Sequence, residues 1–223
     1  MNKNIALDGP AGAGKSTIAK ALAAKLGLVY VDTGAMYRGL AIHFLRNNLA
    51  PDDEAGISEA VKSADVSIKY EDGVQQVYLN GENITSILRD EEVGKMASAS
   101  SVYTAVRTRL VALQQELART TAVVMDGRDI GTVVLPDAGL KVFVTASVEE
   151  RTDRRVRQLI EQGVTPDVEQ IRKDIEERDY RDTHRENSPL KAADDAIIFD
   201  NTGYKLEQSV EYVYNLYKEK CLK

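Results

Sequence analysis

Short runs of consecutive apolar residues recur along the chain: Ile5-Ala6-Leu7, Val29-Tyr30-Val31, Val123-Val124-Met125, Val142-Phe143-Val144 and Ala196-Ile197-Ile198-Phe199. Runs this short, with no polar alternation inside them, fit strands buried on both faces. Each is followed by or ends on a polar residue, in turn Asp8, Asp32, Asp126, Thr145 and Asp200. The stretches between them carry apolar residues at helical spacing. Strands alternating with helices predict an α/β, three-layer fold: a five-stranded parallel sheet with helices on both faces. Ligands of such sheets bind beyond the carboxyl ends of the strands, where these polar residues collect.

One segment departs from that rhythm. Across residues 64–84, Val66, Ile68 and Tyr70 face one way with Ser67 and Lys69 between them, and Val77 and Leu79 follow after Asp72-Gly73 and before Asn80-Gly81. Asp-Gly and Asn-Gly are strong hairpin turns, because Gly tolerates positive φ. The pattern predicts a small antiparallel β-insertion, of the length that serves as a lid or clamp. Over residues 90–117, Val93, Ala97, Val106, Leu110, Leu113 and Leu117 keep helical spacing. Two more helices are expected at 147–160 and 168–185, parted by Gly163-Val164-Thr165-Pro166-Asp167, a C-terminal glycine followed by a helix-starting Pro-Asp.

Composition narrows the class without choosing a function. The 223 residues are 43% apolar and 29% charged, ordinary for a globular chain, and are expected to form a single domain over 1–223. A net charge of −6 disfavours a nucleic-acid polymer as partner, yet leaves room for a small phosphorylated ligand in a local arginine cluster. The one cysteine, Cys221, excludes a disulfide framework within the chain. No charged leader with a long apolar run precedes the first strand and no apolar stretch reaches membrane-spanning length, so a cytoplasmic protein with no membrane association is expected. No apolar stripe is left over, which points to a monomer.

The strongest chemical signal is Gly9-Pro10-Ala11-Gly12-Ala13-Gly14-Lys15-Ser16, a full Walker A pattern after a strand and before the helical run from Ile18 to Leu26. Such a P-loop wraps phosphates in inward-turned N–H groups and adds the positive end of a helix. A nucleoside triphosphate is therefore expected on Gly9, Pro10, Ala11, Gly12, Ala13, Gly14, Lys15, Ser16 and Thr17. Lys15 reaches the β- and γ-phosphates, and the Ser16 hydroxyl takes Mg²⁺. Asp126, at the end of an apolar strand, fits either a Walker B aspartate or a turn cap.

Three further segments could hold an acceptor. Asp32-Thr33-Gly34-Ala35-Met36-Tyr37-Arg38 offers a hydroxyl, an aromatic ring to pack on a base, and a guanidinium to fork a phosphate. Asp126-Gly127-Arg128-Asp129-Ile130-Gly131 brackets an Arg-Asp pair with glycines; the pair could read a donor–acceptor base edge or form an internal salt bridge. Residues 151–185 hold nine basic and nine acidic side chains, so placement matters and not net charge. Arg178, Arg181 and Arg185 sit three and four apart, and Arg151 and Arg155 four apart, as one helical face requires. A mobile arginine-bearing lid and a solvated charged face both fit; Arg157 and Arg172 are assigned to the solvated face.

Taken together, these motifs resemble the bacterial cytidylate kinases of the nucleoside-monophosphate kinase group, nearly end to end. The marks are the P-loop, Asp32 to Arg38, the β-insertion, Asp126 to Gly131, and Glu177-Arg178-Asp179-Tyr180-Arg181-Asp182. The resemblance implies transfer of the ATP γ-phosphoryl to CMP or dCMP, a step of pyrimidine nucleotide metabolism. It implies that Thr33, Tyr37, Arg38, Ser98, Arg107, Arg128, Asp129, Arg178, Asp182 and Arg185 contact CMP. The family pattern has Ser at the place of Thr33, and the hydroxyl is kept. Catalysis would rest on Lys15, Arg128, Arg178 and Arg185, with Arg151 and Arg155 on the ATP side. Residues 64–84 would serve the acceptor side and 151–185 the lid. Kinases of AMP, UMP or shikimate, a regulatory P-loop NTPase, and a non-catalytic nucleotide-binding scaffold are the alternatives.

Overall fold

The computed structural model describes residues 2–222. In chain order the elements are β1 (Ile5–Asp8), α1 (Lys15–Leu26), β2 (Val29–Asp32), α2 (Thr33–Arg46), α3 (Glu54–Ser63), β3 (Val66–Glu71), β4 (Val74–Leu79), β5 (Glu82–Asn83), α4 (Glu91–Ser100), α5 (Thr104–Thr120), β6 (Val123–Gly127), β7 (Leu140–Thr145), α6 (Val148–Glu161), α7 (Val168–His184), β8 (Ile197–Asp200) and α8 (Leu206–Cys221). They fall into two compact units. One holds the described residues up to Tyr30 and from Ala122 onward; the other is Val31–Thr121.

The five-stranded parallel sheet has the order β2-β6-β1-β7-β8; the first unit holds β6, β1, β7, β8 and the first half of β2, Val29 and Tyr30. Ile5 lies opposite both Val124 and Leu140, and Asp8 opposite Gly127 and Phe143, so the carboxyl ends of the three central strands line up. Ile5, Leu7, Val124, Val142 and Val144 pack with Ile18 and Leu22 of α1 and Val213 and Tyr217 of α8. Ala6 and Met125 point to the opposite face and are equally buried, so both faces of the central strands are covered. The outermost strand is the exception. The apolar run at 196–199 predicts burial on both faces, but Ile198 is 58% exposed, because β8 has a neighbour on one side only.

Local chemistry sets the helix ends here. Ser147 and Asp167 accept the N–H groups of Glu150 and Gln170, capping α6 and α7. Gly163 is left-handed (φ 77°), and the N–H of Val164 returns to the carbonyl of Leu159, which closes α6 as its glycine predicts.

The second unit packs α2, α3, α4 and α5 with the antiparallel sheet β3-β4-β5 around Leu40, Phe44, Ile57, Val66, Val77, Leu79 and Leu110. The turns Asp72-Gly73 (φ 50° and 75°) and Asn80-Gly81 (φ 50° and 84°) have positive φ at both central positions. The sheet lies against the backbone of α2 at Gly39, where a Cβ would stand 3.3 Å from Val77 Cγ1 and 3.4 Å from Val66 Cγ1. Tyr70, near the hairpin tip, is 36% exposed although it alternates with Val66 and Ile68. The helical spacing over 90–117 belongs to two helices. Within Ser98-Ala99-Ser100-Ser101, the Ser100 hydroxyl donates to Met96 O and the Ser101 hydroxyl to Ser98 O. Such local bonds compete with the helix ladder, and Tyr103 is already extended.

Candidate functional site

The P-loop leaves the sheet at Asp8 and ends at Gly14, the left-handed N-cap of α1 (φ 91°). Three of its carbonyls are taken by side chains of the same unit. Lys15 Nζ donates to Pro10 O (2.7 Å), Arg151 Nη1 to Ala11 O (3.1 Å) and Asn201 Nδ2 to Ala13 O (2.9 Å). The first-turn N–H groups of α1 have no partner within the helix, which makes that end a seat for an anion.

Ser16 Oγ donates to Asp126 Oδ2 (2.6 Å), and Tyr30 hydroxyl donates to Oδ1 of the same carboxylate (2.9 Å). Asp126 is buried at the end of β6 and caps no helix. Of its two sequence readings, the Walker B one fits this geometry. Two hard oxygen donors side by side suit Mg²⁺, which takes most of its ligands from water and substrate phosphates. No cluster of three or more His, Cys, Asp or Glu that could cage a metal exists among the described residues.

Lys15 is buried, and its ammonium pKa falls from 10.5 to about 7. Desolvation is the main cause; Arg128 and Arg178 push the same way, while Asp126 and Asp8 oppose them. Asp8 is displaced to about 6, first by burial and against the N–H bonds it accepts. Those bonds come from Ile130 to Oδ1 and Gly131 to Oδ2, both at 2.7 Å. The carboxylate that opens the P-loop thereby also fixes the turn after Arg128-Asp129.

Arg128 Nε donates to Asp182 Oδ2 (2.8 Å), and Arg185 Nη1 lies 4.0 Å from Oδ1. Burial, the largest influence on Asp182, pushes its pKa up, but the Arg128, Arg178 and Arg185 cations outweigh it and hold the carboxyl below its usual range. Lys15, Arg128, Arg178, Asp182 and Arg185 are thus linked by charge within one unit. Asp129 is buried beside them. Arg185 is the C-cap of α7, not part of the helix, and donates Nε to Ser188 O at 2.8 Å.

Some expected groupings do not form. Arg181 is exposed while Arg178 is half-buried, so the three arginines of 178–185 do not share one environment. Arg151 and Arg155 diverge as well. Arg151 is buried, with Nε on Ala146 O (3.0 Å), Nη1 on Ala11 O and Nη2 on Asp179 Oδ2 (2.6 Å). Arg155 is exposed and donates to Gln158 Oε1 (2.9 Å). The two share a nominal helical face, and their partners set them apart. Arg157 and Arg172 lie on the solvated face, Arg172 between Glu149 and Glu176.

In the second unit, Asp32 is the N-cap of α2 and accepts the N–H of Ala35 (3.0 Å), so Thr33 is the first helical residue and is buried. Gln75 of β4 holds Asp32 by both backbone groups, accepting its N–H (2.8 Å) and donating to its carbonyl (3.1 Å). Tyr37 and Arg38 follow on α2, half-buried. The guanidinium carbon of Arg107 stands 5.9 Å from the Tyr37 ring centre, and its Nη1 donates to Ser101 O (3.1 Å). Ser98 is half-buried on α4.

Sequence reasoning misses Asp8, Arg154, Asn201 and Ser209 as site residues. Gly14, Thr17, Arg154, Asn201, Tyr204 and Leu206 line a cavity of about 170 Å³ beside the P-loop. The available signal is the turn Asn201-Thr202-Gly203 directly after the last strand, where ligands of such sheets collect.

A family model described as cytidylate kinase matches residues 5–219. The cytidylate kinase of Caldicellulosiruptor bescii is 49% identical over 214 residues, covering 96% of this chain and 95% of that protein. The cytidylate kinase of Streptococcus uberis is 47% identical over 210 residues, covering 94% and 93%. Among solved structures, shikimate kinase from Acinetobacter baumannii in complex with shikimate superposes with a TM-score of 0.50 at 19% identity, covering 100% of this chain and 97% of that one, a likeness of fold.

Proposed function

This chain belongs to the cytidylate kinase family, and on that footing we propose that it transfers the γ-phosphoryl of ATP to CMP or dCMP, giving ADP and CDP or dCDP. The carrying observation is the buried charge cluster in which Lys15, at the P-loop, and Arg128, Arg178 and Arg185, around Asp182, bear on one another. Phosphoryl transfer asks a protein mainly to position two anionic groups and to spread cations over the oxygens that gain charge. ATP takes Gly9 to Thr17, with Arg151 acting through the Ala11 carbonyl it holds and Arg155 from the rim of α6. CMP takes Thr33, Tyr37, Arg38, Ser98, Arg107, Arg128, Asp129, Arg178, Asp182 and Arg185. When bound, Mg²⁺ at Ser16 and Asp126 neutralises β- and γ-phosphate charge.

The proposed transfer is direct and in line. A CMP phosphate oxygen attacks the γ-phosphorus, the bond to the β-bridging oxygen breaks, and ADP leaves. Phosphate monoesters lose their second proton near pH 6, so the nucleophile is ionised at neutral pH and needs no base. The two histidines, His43 and His184, are not required: His184 is exposed and stacks on Tyr180. Residues 151–185 act as the lid and 64–84 serve the acceptor side.

An ADP-release assay offering CMP, dCMP, UMP, AMP and shikimate in turn tests this. The fastest release is expected with CMP or dCMP. Faster release with AMP than with either would overturn the assignment, and release indifferent to every acceptor would make the protein a hydrolase.

Nucleotide binding also carries a pH signature. In the free protein Lys15 titrates at about 7. Bound polyphosphate favours its ammonium form and lifts the pKa back towards the ordinary lysine value. Below the free-state pKa the proton is present in both states, and affinity is flat. Above it, binding takes up to one proton, and affinity falls by up to tenfold per pH unit. Calorimetry at about pH 8.5, where ATP is fully ionised, is expected to show uptake as a heat that changes with the buffer's ionisation enthalpy. A buffer-independent heat would mean that Lys15 is already charged before ATP arrives.

A further inference from the structure

We infer that Asn201, held in orientation by Ser209, is a positioning residue that sets the phosphate-facing geometry of the P-loop. The inference rests on the reading of that loop as the ATP donor site. In a trans peptide the carbonyl and the following N–H lie in one plane and point in opposite directions. Fixing one therefore aims the other. Asn201 Nδ2 donates to Ala13 O (2.9 Å), which turns the Gly14 N–H to the opposite side of the loop. Arg151 on Ala11 O does the same for Gly12. On the donor-site reading these N–H groups face the phosphates, and the side chains that fix their carbonyl partners come from outside the loop.

The orientation of the amide is determined by its partners. The Ala13 carbonyl only accepts, so the atom facing it is Nδ2 and the other is Oδ1. Ser209 Oγ of α8 then donates to Oδ1 at 2.5 Å. The Asn201 backbone is pinned as well: its N–H donates to Thr145 O of β7 (2.8 Å), and its carbonyl accepts Arg154 Nη2 (2.9 Å). Asn201 is 4% exposed and Ser209 is 1% exposed, so both side chains take their partners from the protein. Contact is close: a Cβ on Gly14 would stand 2.9 Å from Asn201 Nδ2 and 3.3 Å from Arg154 Nη1. One buried residue thus ties the end of β7 and Arg154 of α6, through its backbone, and the first turn of α8, through its side chain, to the P-loop.

The test compares Asn201→Ala, Asn201→Asp, Ser209→Ala and Ser209→Thr in steady-state kinetics, with ATP binding followed by calorimetry. Asn201→Ala leaves the Ala13 carbonyl without its donor, and the KM and Kd for ATP are expected to rise about tenfold. Asn201→Asp sets a carboxylate oxygen against that carbonyl and is expected to raise them further. Ser209→Ala is expected to act in the same direction but less, and Ser209→Thr, which keeps the hydroxyl, to restore near wild-type values. Throughout, the KM for CMP is expected to stay within about twofold, since a neutral hydrogen bond confined to the donor loop acts there only. Should Asn201→Ala fail to fold, Ser209→Ala carries the test. Variants with a lowered melting temperature but unchanged KM for ATP, or with equal rises for ATP and CMP, would reduce Asn201 to a packing residue and overturn the inference. Wild-type protein that binds no ATP would instead refute the donor-site reading itself.

Discussion

Replacing Lys15 by methionine is expected to lower kcat/KM for ATP by about 10³-fold while leaving the protein as stable as before or more so. The two halves of this expectation come from the same burial. Methionine keeps the length and apolar stem of lysine, so the packing around α1 survives, but the proposed transfer loses the cation assigned to the γ-phosphoryl. The stability half follows from linkage. The pKa of Lys15 drops from 10.5 in the unfolded chain to about 7 in the fold, so the folded protein binds this proton more weakly. The penalty for burying the cation is complete below pH 7 and is relieved as pH rises towards the unfolded value. Methionine carries no such penalty. The variant's gain in melting temperature is therefore expected to be larger at pH 6 than at pH 9. Opposing this, Asp8 and Asp126 lose a neighbouring cation, and the Pro10 carbonyl loses its donor. Coupled-enzyme kinetics beside thermal melts at both pH values separate the halves. A variant that keeps kcat/KM within tenfold, or that melts far below wild type at both pH values, contradicts the role given to Lys15.

What the sequence reveals about this protein divides by distance along the chain. The P-loop, the turns at Asp72-Gly73 and Asn80-Gly81, the helix-ending Gly163 and the helix-starting Pro166-Asp167 are local, and each is visible in a few adjacent letters. The misreadings have a common cause. The run at Ile197 and Ile198 looks like any buried strand, because a sheet's edge is a property of strand order. The single helical period over 90–117 hides a break made by serine hydroxyls bonding to their own helix. Arg151 and Arg155 share a nominal helical face, yet one is drawn inward by Ala11, Ala146 and Asp179 and the other is left at the rim.

The site divides the same way. Lys15 and Ser16 belong to a contiguous motif, and Asp126 is legible as a strand-end carboxylate. Its bond to Ser16, however, crosses 110 residues. The Arg128–Asp182 pair crosses 54, and Asn201 meets Ala13 across 188. No spacing rule reaches those separations. They become visible only when parallel strands bring their carboxyl ends into register, which places Asp8 beside Gly127 and Asp200 beside Thr145. The charge balance of 151–185 is similarly silent: equal numbers of each sign conceal one buried carboxylate, Asp182, with Arg128, Arg178 and Arg185 around it.

The glycine that opens the P-loop gives the largest expected effect on folding. Gly9 adopts φ 142°, and a Cβ built there would stand 1.9 Å from the carbonyl oxygen of Val144. That oxygen belongs to β7, which is paired on both sides, with β1 and with β8, so it has nowhere to move. Gly9→Ala must therefore push the loop off the sheet. Overpacking and backbone strain together are expected to cost about 4 kcal/mol or more. Gly27→Ala is the matched control. Gly27 is also left-handed, at φ 65°, but nothing lies within 4 Å of its would-be Cβ, so only strain of about 1 kcal/mol is expected. Urea denaturation of the two variants separates steric from conformational cost, and a similar midpoint for both would show that the strand yields. Where Gly9→Ala remains folded, the displaced loop no longer aims its N–H groups at one point, and ATP affinity is expected to fall with it. Gly27→Ala, at the far end of α1, is expected to bind ATP as wild type does. The loop's anion site thus depends on the packing of β1 against β7 as much as on the motif that announces it.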